Sequence, residues 1–167
     1  MHYLKPMALL LLMLCNSLTF CQSSSDTPPS TAQQKMQQLN FMIGNWVGTS
    51  TTFKDGAIDR QVPAFEHIQY KVDQNLITID LHSTTLQLHT IVYYDEKEGT
   101  YFYCPYSKGR AGKHRGRFED GKFLVQLRES YRLVFQQTPE GQFIEYGERL
   151  KDGVWTKSFE DVFEDIR

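Results

Sequence analysis

Six short turn signals divide the chain between residues 54 and 153. They are Lys54-Asp55-Gly56, Gln74-Asn75, Glu98-Gly99, Glu119-Asp120-Gly121, Pro139-Glu140-Gly141 and Lys151-Asp152-Gly153. Three of them carry the Asp-Gly pair, which suits the left-handed backbone of a tight hairpin turn. Connections this short cannot contain a crossover helix, so the strands that they join must be antiparallel neighbours. The spacing therefore predicts an antiparallel meander.

Apolar and polar residues alternate between these turns, which predicts nine or ten strands. The predicted strands are 45–53, 62–72, 76–83, 86–95, 100–106, 112–118, 122–129, 131–138, 142–150 and 154–164. A long meander has two exposed edges unless it closes on itself. The predicted fold is therefore all-β, an up-and-down barrel of about eight to ten strands with one short N-terminal helix over 32–41. An interior of that size can hold one small ligand.

The N-terminal part of the chain has the pattern of an export signal. One lysine, Lys5, precedes the apolar run Met7–Leu14, which is too short to span a bilayer because a spanning helix needs about 20 residues. We therefore expect a signal peptide over residues 1–21, a disordered tether over 22–34 and the barrel over 35–167.

Processing at the end of the signal has two interpretations. Cleavage after Cys21 would release a periplasmic or secreted protein, since Thr19 and Cys21 are small enough for the cleavage site. Alternatively, Leu18-Thr19-Phe20-Cys21 is a lipobox with a bulky third residue, and Cys21 then carries a lipid. A membrane contact is expected only through that anchor.

Charge and cysteine content exclude several functional classes. The chain has 18 Lys and Arg against 20 Asp and Glu, a net charge of −2, so no nucleic-acid partner is expected. Of three cysteines, only Cys104 falls in the predicted barrel, which excludes a disulfide framework. Cys104 has no neighbouring CxxC pattern, and we expect a buried, unreactive thiol.

Two aromatic motifs at the ends of the meander resemble those of the calycin superfamily, which includes lipocalins, fatty-acid-binding proteins and nitrobindin-like barrels. The motifs are Gly44-Asn45-Trp46-Val47-Gly48 and Asp152-Gly153-Val154-Trp155. The resemblance covers about residues 39–165 and is greatest to bacterial lipocalin-like proteins of unknown function, many of them exported.

The resemblance implies that Trp46 plugs the closed end of the barrel against a basic side chain, for which Arg149 is the candidate through a cation–π contact. Nitrobindin-like barrels bind haem through a histidine near the C-terminus, but the last histidine here is His114, and Ser50 replaces the third glycine of their motif. No cofactor is therefore expected.

Aromatic, basic and acidic residues on the predicted strands are candidates for ligand contacts. Both faces of the strand 100–106 carry aromatic side chains, so alternation leaves its inward face open. Arg115 and Arg117 are either part of a solvated hairpin or a basic rim that attracts an anionic ligand. The candidate ligand-binding residues are Tyr101, Tyr103, Arg115, Arg117, Tyr131 and Glu145.

A small polar group on one hairpin could begin an acid/base or metal site. Pairing Asp80 with His89 would place both on one face, beside His82. Two histidines and one aspartate on a hairpin are more often solvated, and we assign no catalytic or metal residue.

The sequence thus predicts an exported barrel that binds a small apolar or amphipathic ligand, with an anionic head group as one form, and performs no catalysis. One alternative is a structural or partner-binding envelope protein whose barrel is filled by side chains. The other is an enzyme or haem protein. Oligomeric state is left open.

Overall fold

Residues 28–166 are described in a computed structural model of the chain. Helix α1 (Thr31–Gln37) and a 3-10 turn (Asn40–Met42) precede the strands. The strands are β1 (Gly44–Lys54), β2 (Ala57–Lys71), β3 (Leu76–Ser83), β4 (Gln87–Asp95), β5 (Thr100–Ser107), β6 (Arg110–Ala111), β7 (His114–Glu119), β8 (Lys122–Arg128), β9 (Tyr131–Gln137), β10 (Phe143–Lys151) and β11 (Val154–Asp165). The predicted signal peptide, Cys21 and residues 22–27 of the predicted tether lie outside the described residues.

Antiparallel pairing joins the strands into a closed barrel. The order is β4-β3-β2-β1-β11-β10-β9-β8-β7-β5, and a further pairing of β4 with β5 completes the circle of ten strands. The two-residue strand β6 extends only the tip of β5. The first long strand meets the last, with Trp46 opposite Asp165. The predicted all-β, up-and-down barrel with a short helix is confirmed.

The Asp-Gly pairs form the turns that they predict. Both residues of each pair have positive φ: 51° and 81° at Asp55-Gly56, 51° and 73° at Asp120-Gly121, and 52° and 79° at Asp152-Gly153. Two successive positive φ values give a turn whose twist matches that of the flanking strands. These turns fix the register of three hairpins.

A capping box at Ser30 starts helix α1, so residues 31–34, which were predicted to belong to the tether, are helical. The Ser30 hydroxyl accepts a hydrogen bond from the Gln33 amide (3.2 Å), and the Gln33 side chain accepts one from the Ser30 amide (2.8 Å). Met36 and, beyond the helix, Leu39 and Met42 are fully buried. These three side chains close one end of the barrel. Of the helices in residues 28–166, none is long enough to cross a bilayer.

Aromatic rings fill the half of the barrel next to the helix. The Trp46 ring is 2% exposed, lies 5.3 Å from the Phe143 ring, and donates a hydrogen bond from Nε1 to the Met42 carbonyl (2.8 Å). Phe143 in turn stacks on Phe135 and Phe163. Such packing fills the interior of the barrel at this end with side chains.

Tyr101 ties the helical segment to the barrel wall. Its hydroxyl lies 2.7 Å from the Lys35 carbonyl and 2.8 Å from the Gln38 side-chain amide. We expect Tyr101→Phe to lower the free energy of unfolding by about 1–2 kcal/mol, because both partners lose this hydroxyl. Tyr106→Phe on the same strand, where the ring is 55% exposed, is the control. Equal effects of the two substitutions in urea denaturation would contradict the assigned role.

Candidate functional site

A cavity of about 380 Å³ opens at the end of the barrel opposite the helix. Its size falls in the range of small-molecule pockets. Strand alternation explains its position. On β1, every second side chain points into the barrel: Trp46 lies near the closed end, and Ser50 and Thr52 lie nearer the open end. The wall is formed by Ser50, Thr52, Arg60, Ala64, Leu81, Ser83, Thr85, Leu86, Leu88, Tyr131, Glu145, Arg149, Ser158, Phe159 and Asp161.

Two buried carboxyl groups, Glu145 and Asp161, line the floor of this cavity, and a third, Glu66, lies behind them. Glu66, Glu145 and Asp161 are 1%, 5% and 4% exposed. Glu145 and Asp161 stand directly opposite each other on β10 and β11, an arrangement that is destabilising when both are charged. Glu66 reaches them from β2, across β1, where Gly48 carries no side chain. We call Glu66, Glu145 and Asp161 the acid cluster.

The acid cluster has few protein donors. Ser50 donates a hydrogen bond to Asp161, but Oδ1 of Asp161 meets no donor, and Glu66 meets none outside the acid cluster. Within residues 28–166, no lysine or arginine forms a salt bridge with any of the three carboxyl groups. Glu66 does contact the Glu145 carboxyl, so a hydrogen bond between them requires that one keep its proton. Buried carboxyl groups without partners are costly, which marks this floor as a candidate site.

Burial changes the protonation of the acid cluster. It raises the pKa of Glu66 to about 8, with the nearby Asp161 charge as the second cause. Burial, followed by the Glu66 and Asp161 charges, also raises the pKa of Glu145 well above its ordinary value. The pKa of Asp161 rises to about 6 through burial, although a hydrogen bond from Ser50 lowers it. Near pH 7, Asp161 is therefore mostly ionised and Glu66 mostly protonated.

Two hydroxyl side chains face the acid cluster from the opposite wall. Tyr103 on β5 and Thr90 on β4 are 2% and 0% exposed. Burial, and next the Glu145 charge, raises the pKa of Tyr103 well above its ordinary value. With the acid cluster, these side chains form a polar layer between the aromatic core and the cavity.

Tyr131 and Arg149 form part of the cavity mouth. The Arg149 guanidinium lies 4.8 Å from the centre of the Tyr131 ring, and the Tyr131 hydroxyl lies 3.3 Å from that of Ser158. Arg149 pairs with Thr156 on β11, whereas Trp46 pairs with Asp165 at the other end of that strand. The cation–π contact implied for Trp46 and Arg149 is thus replaced by one between Arg149 and Tyr131, because the two residues lie at opposite ends of the barrel.

The remaining ligand candidates lie away from the cavity wall. Tyr101 lies under the helix, and Tyr103 belongs to the polar layer behind the floor. Arg115 and Arg117 flank the buried, inward-facing Gly116, so alternation turns both arginines outward. There Arg115 forms an ion pair with Glu98, and Arg117 forms one with Glu119 at 2.8 Å. Of the six candidates, Tyr131 and Glu145 line the cavity.

The polar hairpin has the predicted register but faces solvent. Asp80 pairs with His89, and His89 Nδ1 lies 2.6 Å from Asp80 Oδ1. Their side chains are 37% and 49% exposed on the outer surface. No three His, Cys, Asp or Glu side chains within residues 28–166 are placed to hold a metal ion. Cys104 is a free, half-buried thiol whose pKa is raised by burial.

Two members of the acid cluster, Glu66 and Asp161, are absent from the sequence-based candidates. A signal for both exists in the alternation. Glu66 stands between Ala64 and Ile68, and Asp161 between Phe159 and Phe163, so each acid occupies an inward row of apolar residues. An acid in such a row must be buried.

Comparisons with known proteins assign no family to the chain. No known family matches it, and no curated protein is significantly similar. One solved structure that matches is a protein of unknown function from the DUF3598 family of Nostoc punctiforme, at 6% sequence identity and a TM-score of 0.28. That match covers 79% of this chain and 99% of the other. The barrel described above is established by its own strand pairing and is of the kind found in calycins.

Proposed function

We propose that the protein is an exported, non-enzymatic binding barrel that holds one small amphipathic molecule in the cavity. The observation that carries this proposal is the cavity floor, where the carboxyl oxygens of Glu145 and Asp161 line an open space of about 380 Å³ and form no salt bridge with a lysine or arginine of residues 28–166. A ligand with hydrogen-bond donors would satisfy these oxygens. The closed barrel and the calycin-like motifs support a binding role, and the apolar run Met7–Leu14 supports export.

The cavity offers different surfaces to the two ends of such a ligand. Leu81, Leu88 and Phe159 provide apolar wall for its body, and the acid cluster provides acceptors for its head. An anionic head group at the floor would meet the Asp161 charge without a compensating cation, so the floor disfavours it. Arg60 and Arg149 at the mouth are where an acceptor group on the other end would bind.

Fluorescence of N-phenyl-1-naphthylamine, an uncharged apolar probe, tests whether the cavity binds ligands. We expect saturable binding to the wild-type protein, and binding weakened by about tenfold in Leu88→Trp, because the indole would fill the cavity. Ile91→Trp, on the outer face of the same strand, is the matched control and should bind as the wild type does.

Two results would refute the binding role. The first is no saturable signal with the wild-type protein. The second is equal binding by Leu88→Trp when circular dichroism shows that this variant is folded. Either result would favour the alternative of a structural or partner-binding protein.

A further inference from the structure

We propose that the head group bound at the cavity floor is a protonated amine, held by Asp161 and Glu145 with Glu66 behind them. This proposal rests on the binding function above and names the chemical class of the ligand. The ligand is thus a small organic cation with an apolar body.

The first argument is the mismatch between acceptors and donors. Asp161 and Glu145 line the cavity, each at least nine-tenths buried, and Asp161 Oδ1 has no hydrogen-bond partner. Glu66, directly behind, contacts the Glu145 carboxyl and forms no salt bridge with a lysine or arginine of residues 28–166. An ammonium group brings three N–H donors and a positive charge, and therefore supplies what this floor lacks. A hydroxyl group would bring one donor and no charge.

The second argument is the distribution of charge around the floor. The groups that face the acid cluster from other elements are Ser50 on β1, Thr90 on β4 and Tyr103 on β5, with Tyr131, Arg60 and Arg149 farther out at the mouth. Arg149 lies over the Tyr131 ring and forms no ion pair with the acid cluster. A cation at the floor is thus the nearest positive charge available to Asp161.

Binding of an ammonium group should displace a proton from the acid cluster. Glu66, with a pKa of about 8, holds a proton near pH 7, and a neighbouring cation favours its ionised form. An alkylamine stays protonated over this range, since the comparable lysine group has a pKa of about 10.4. Amine affinity should therefore rise as pH increases from 6 to 8, and the proton released should pass to the buffer.

Isothermal titration of three matched probes tests the proposal. The probes are 2-phenylethylamine, 2-phenylethanol and 3-phenylpropanoate, which share an aromatic body and differ in head group. At pH 7.5 we expect the amine to bind at least about tenfold more tightly than the alcohol, and the carboxylate to bind most weakly. Titrations in phosphate and in Tris should differ in heat for the amine because a proton is released, and should agree for the alcohol.

Variants then connect the preference to the floor. Asp161→Asn should weaken amine binding by about tenfold and change alcohol binding by less than about twofold. Asp80→Asn on the outer face should change neither. If Asp161→Asn does not fold, Glu145→Gln replaces it, with the same expected pattern.

The outcomes separate this inference from the binding role. If N-phenyl-1-naphthylamine binds in the cavity but the alcohol matches the amine, the inference is wrong and the binding role stands. If the carboxylate binds most tightly, the acid cluster is not the head-group site. Calcium chloride is a fourth probe, and tight Ca²⁺ binding lost in Asp161→Asn would replace the amine by a metal. If no probe binds, both proposals fail together.

Discussion

Glu66→Gln is expected to stabilise the protein at pH 7 and above and to leave its stability unchanged near pH 4.5. In the native barrel, burial and the Asp161 charge raise the pKa of Glu66 to about 8, from an ordinary value of 4.5 that applies to the unfolded chain. Folding at pH 7 therefore requires Glu66 to take up a proton. That uptake costs about 3 kcal/mol at pH 7, and the cost is absent below about pH 4.5.

The direction of the pH dependence follows from this raised pKa. Because the native state binds the proton more tightly than the unfolded state, the contribution of Glu66 to stability is fully present below pH 4.5 and is lost as pH rises to about 8. Asp161, with a pKa of about 6 against an ordinary 3.8, contributes in the same direction over a lower range. The free energy of unfolding of the wild type should therefore decrease from pH 4.5 to pH 8.

Urea denaturation across this pH range measures the effect. In Glu66→Gln, the free energy of unfolding should depend less on pH above pH 6, since the amide keeps a hydrogen bond to Glu145 and does not titrate. Asp59→Asn, an exposed position on the same strand, is the matched control and should retain the wild-type slope. A Glu66→Gln curve that runs parallel to that of the wild type would show that Glu66 is not the group responsible.

Turn chemistry and alternation made the fold predictable. The predicted strand over 76–83 has the observed bounds, and most others agree within two residues at each end. The largest difference lies at the start of β2, which begins at Ala57 rather than at residue 62. The turn at Lys108-Gly109, with φ of 51° and 73°, is not among the predicted turns, although a solvated hairpin is one interpretation of this basic segment. A Lys-Gly pair forms the same turn as Asp-Gly but is a weaker signal.

The inward face of β5 could not be chosen from sequence, because aromatic residues occupy both faces. Tyr101 and Tyr103 point inward, while Phe102 points outward and is still 4% exposed. Neighbouring side chains bury the Phe102 ring on the outer face. The Lys113 ammonium lies 3.9 Å from the ring centre, and Arg115 and Tyr93 pack beside the ring. Long cationic side chains can bury an outer ring as fully as a core does, and alternation alone does not reveal this.

The candidate site was predictable only in part for a related reason. Glu145 and Tyr131 were assigned from the neighbouring strands that carry them, and both line the cavity. Asp161 is not among the predicted residues, although it stands in the inward row between Phe159 and Phe163. Only the pairing of Glu145 with Asp161, and the reach of Glu66 across β1, show that these acids meet. Such long-range proximity depends on barrel closure, which the local pattern does not specify.

Gly48→Ala is expected to be severely destabilising, and more so than Gly44→Ala. A Cβ atom at Gly48 would lie 1.9 Å from the Val162 carbonyl oxygen and 2.9 Å from the Phe163 Cα, both of them backbone atoms of β11. Strands β1 and β11 close the barrel, so β11 cannot withdraw without breaking its ladder with β1. We expect a loss of about 3 kcal/mol or more in the free energy of unfolding.

Gly44 provides the graded comparison within the same motif. Its added Cβ would lie 2.9 Å from the Trp46 indole, a side chain that can shift slightly within the aromatic core. We therefore expect Gly44→Ala to cost about 1–2 kcal/mol, and Thr49→Ala, at the exposed position next to Gly48 on β1, to cost less than about 1 kcal/mol. Guanidinium denaturation of the three variants gives the ranking. If Gly48→Ala were as stable as Thr49→Ala, the close approach of β1 to β11 would not be what this glycine provides, and the motif would owe its second glycine to something other than barrel closure.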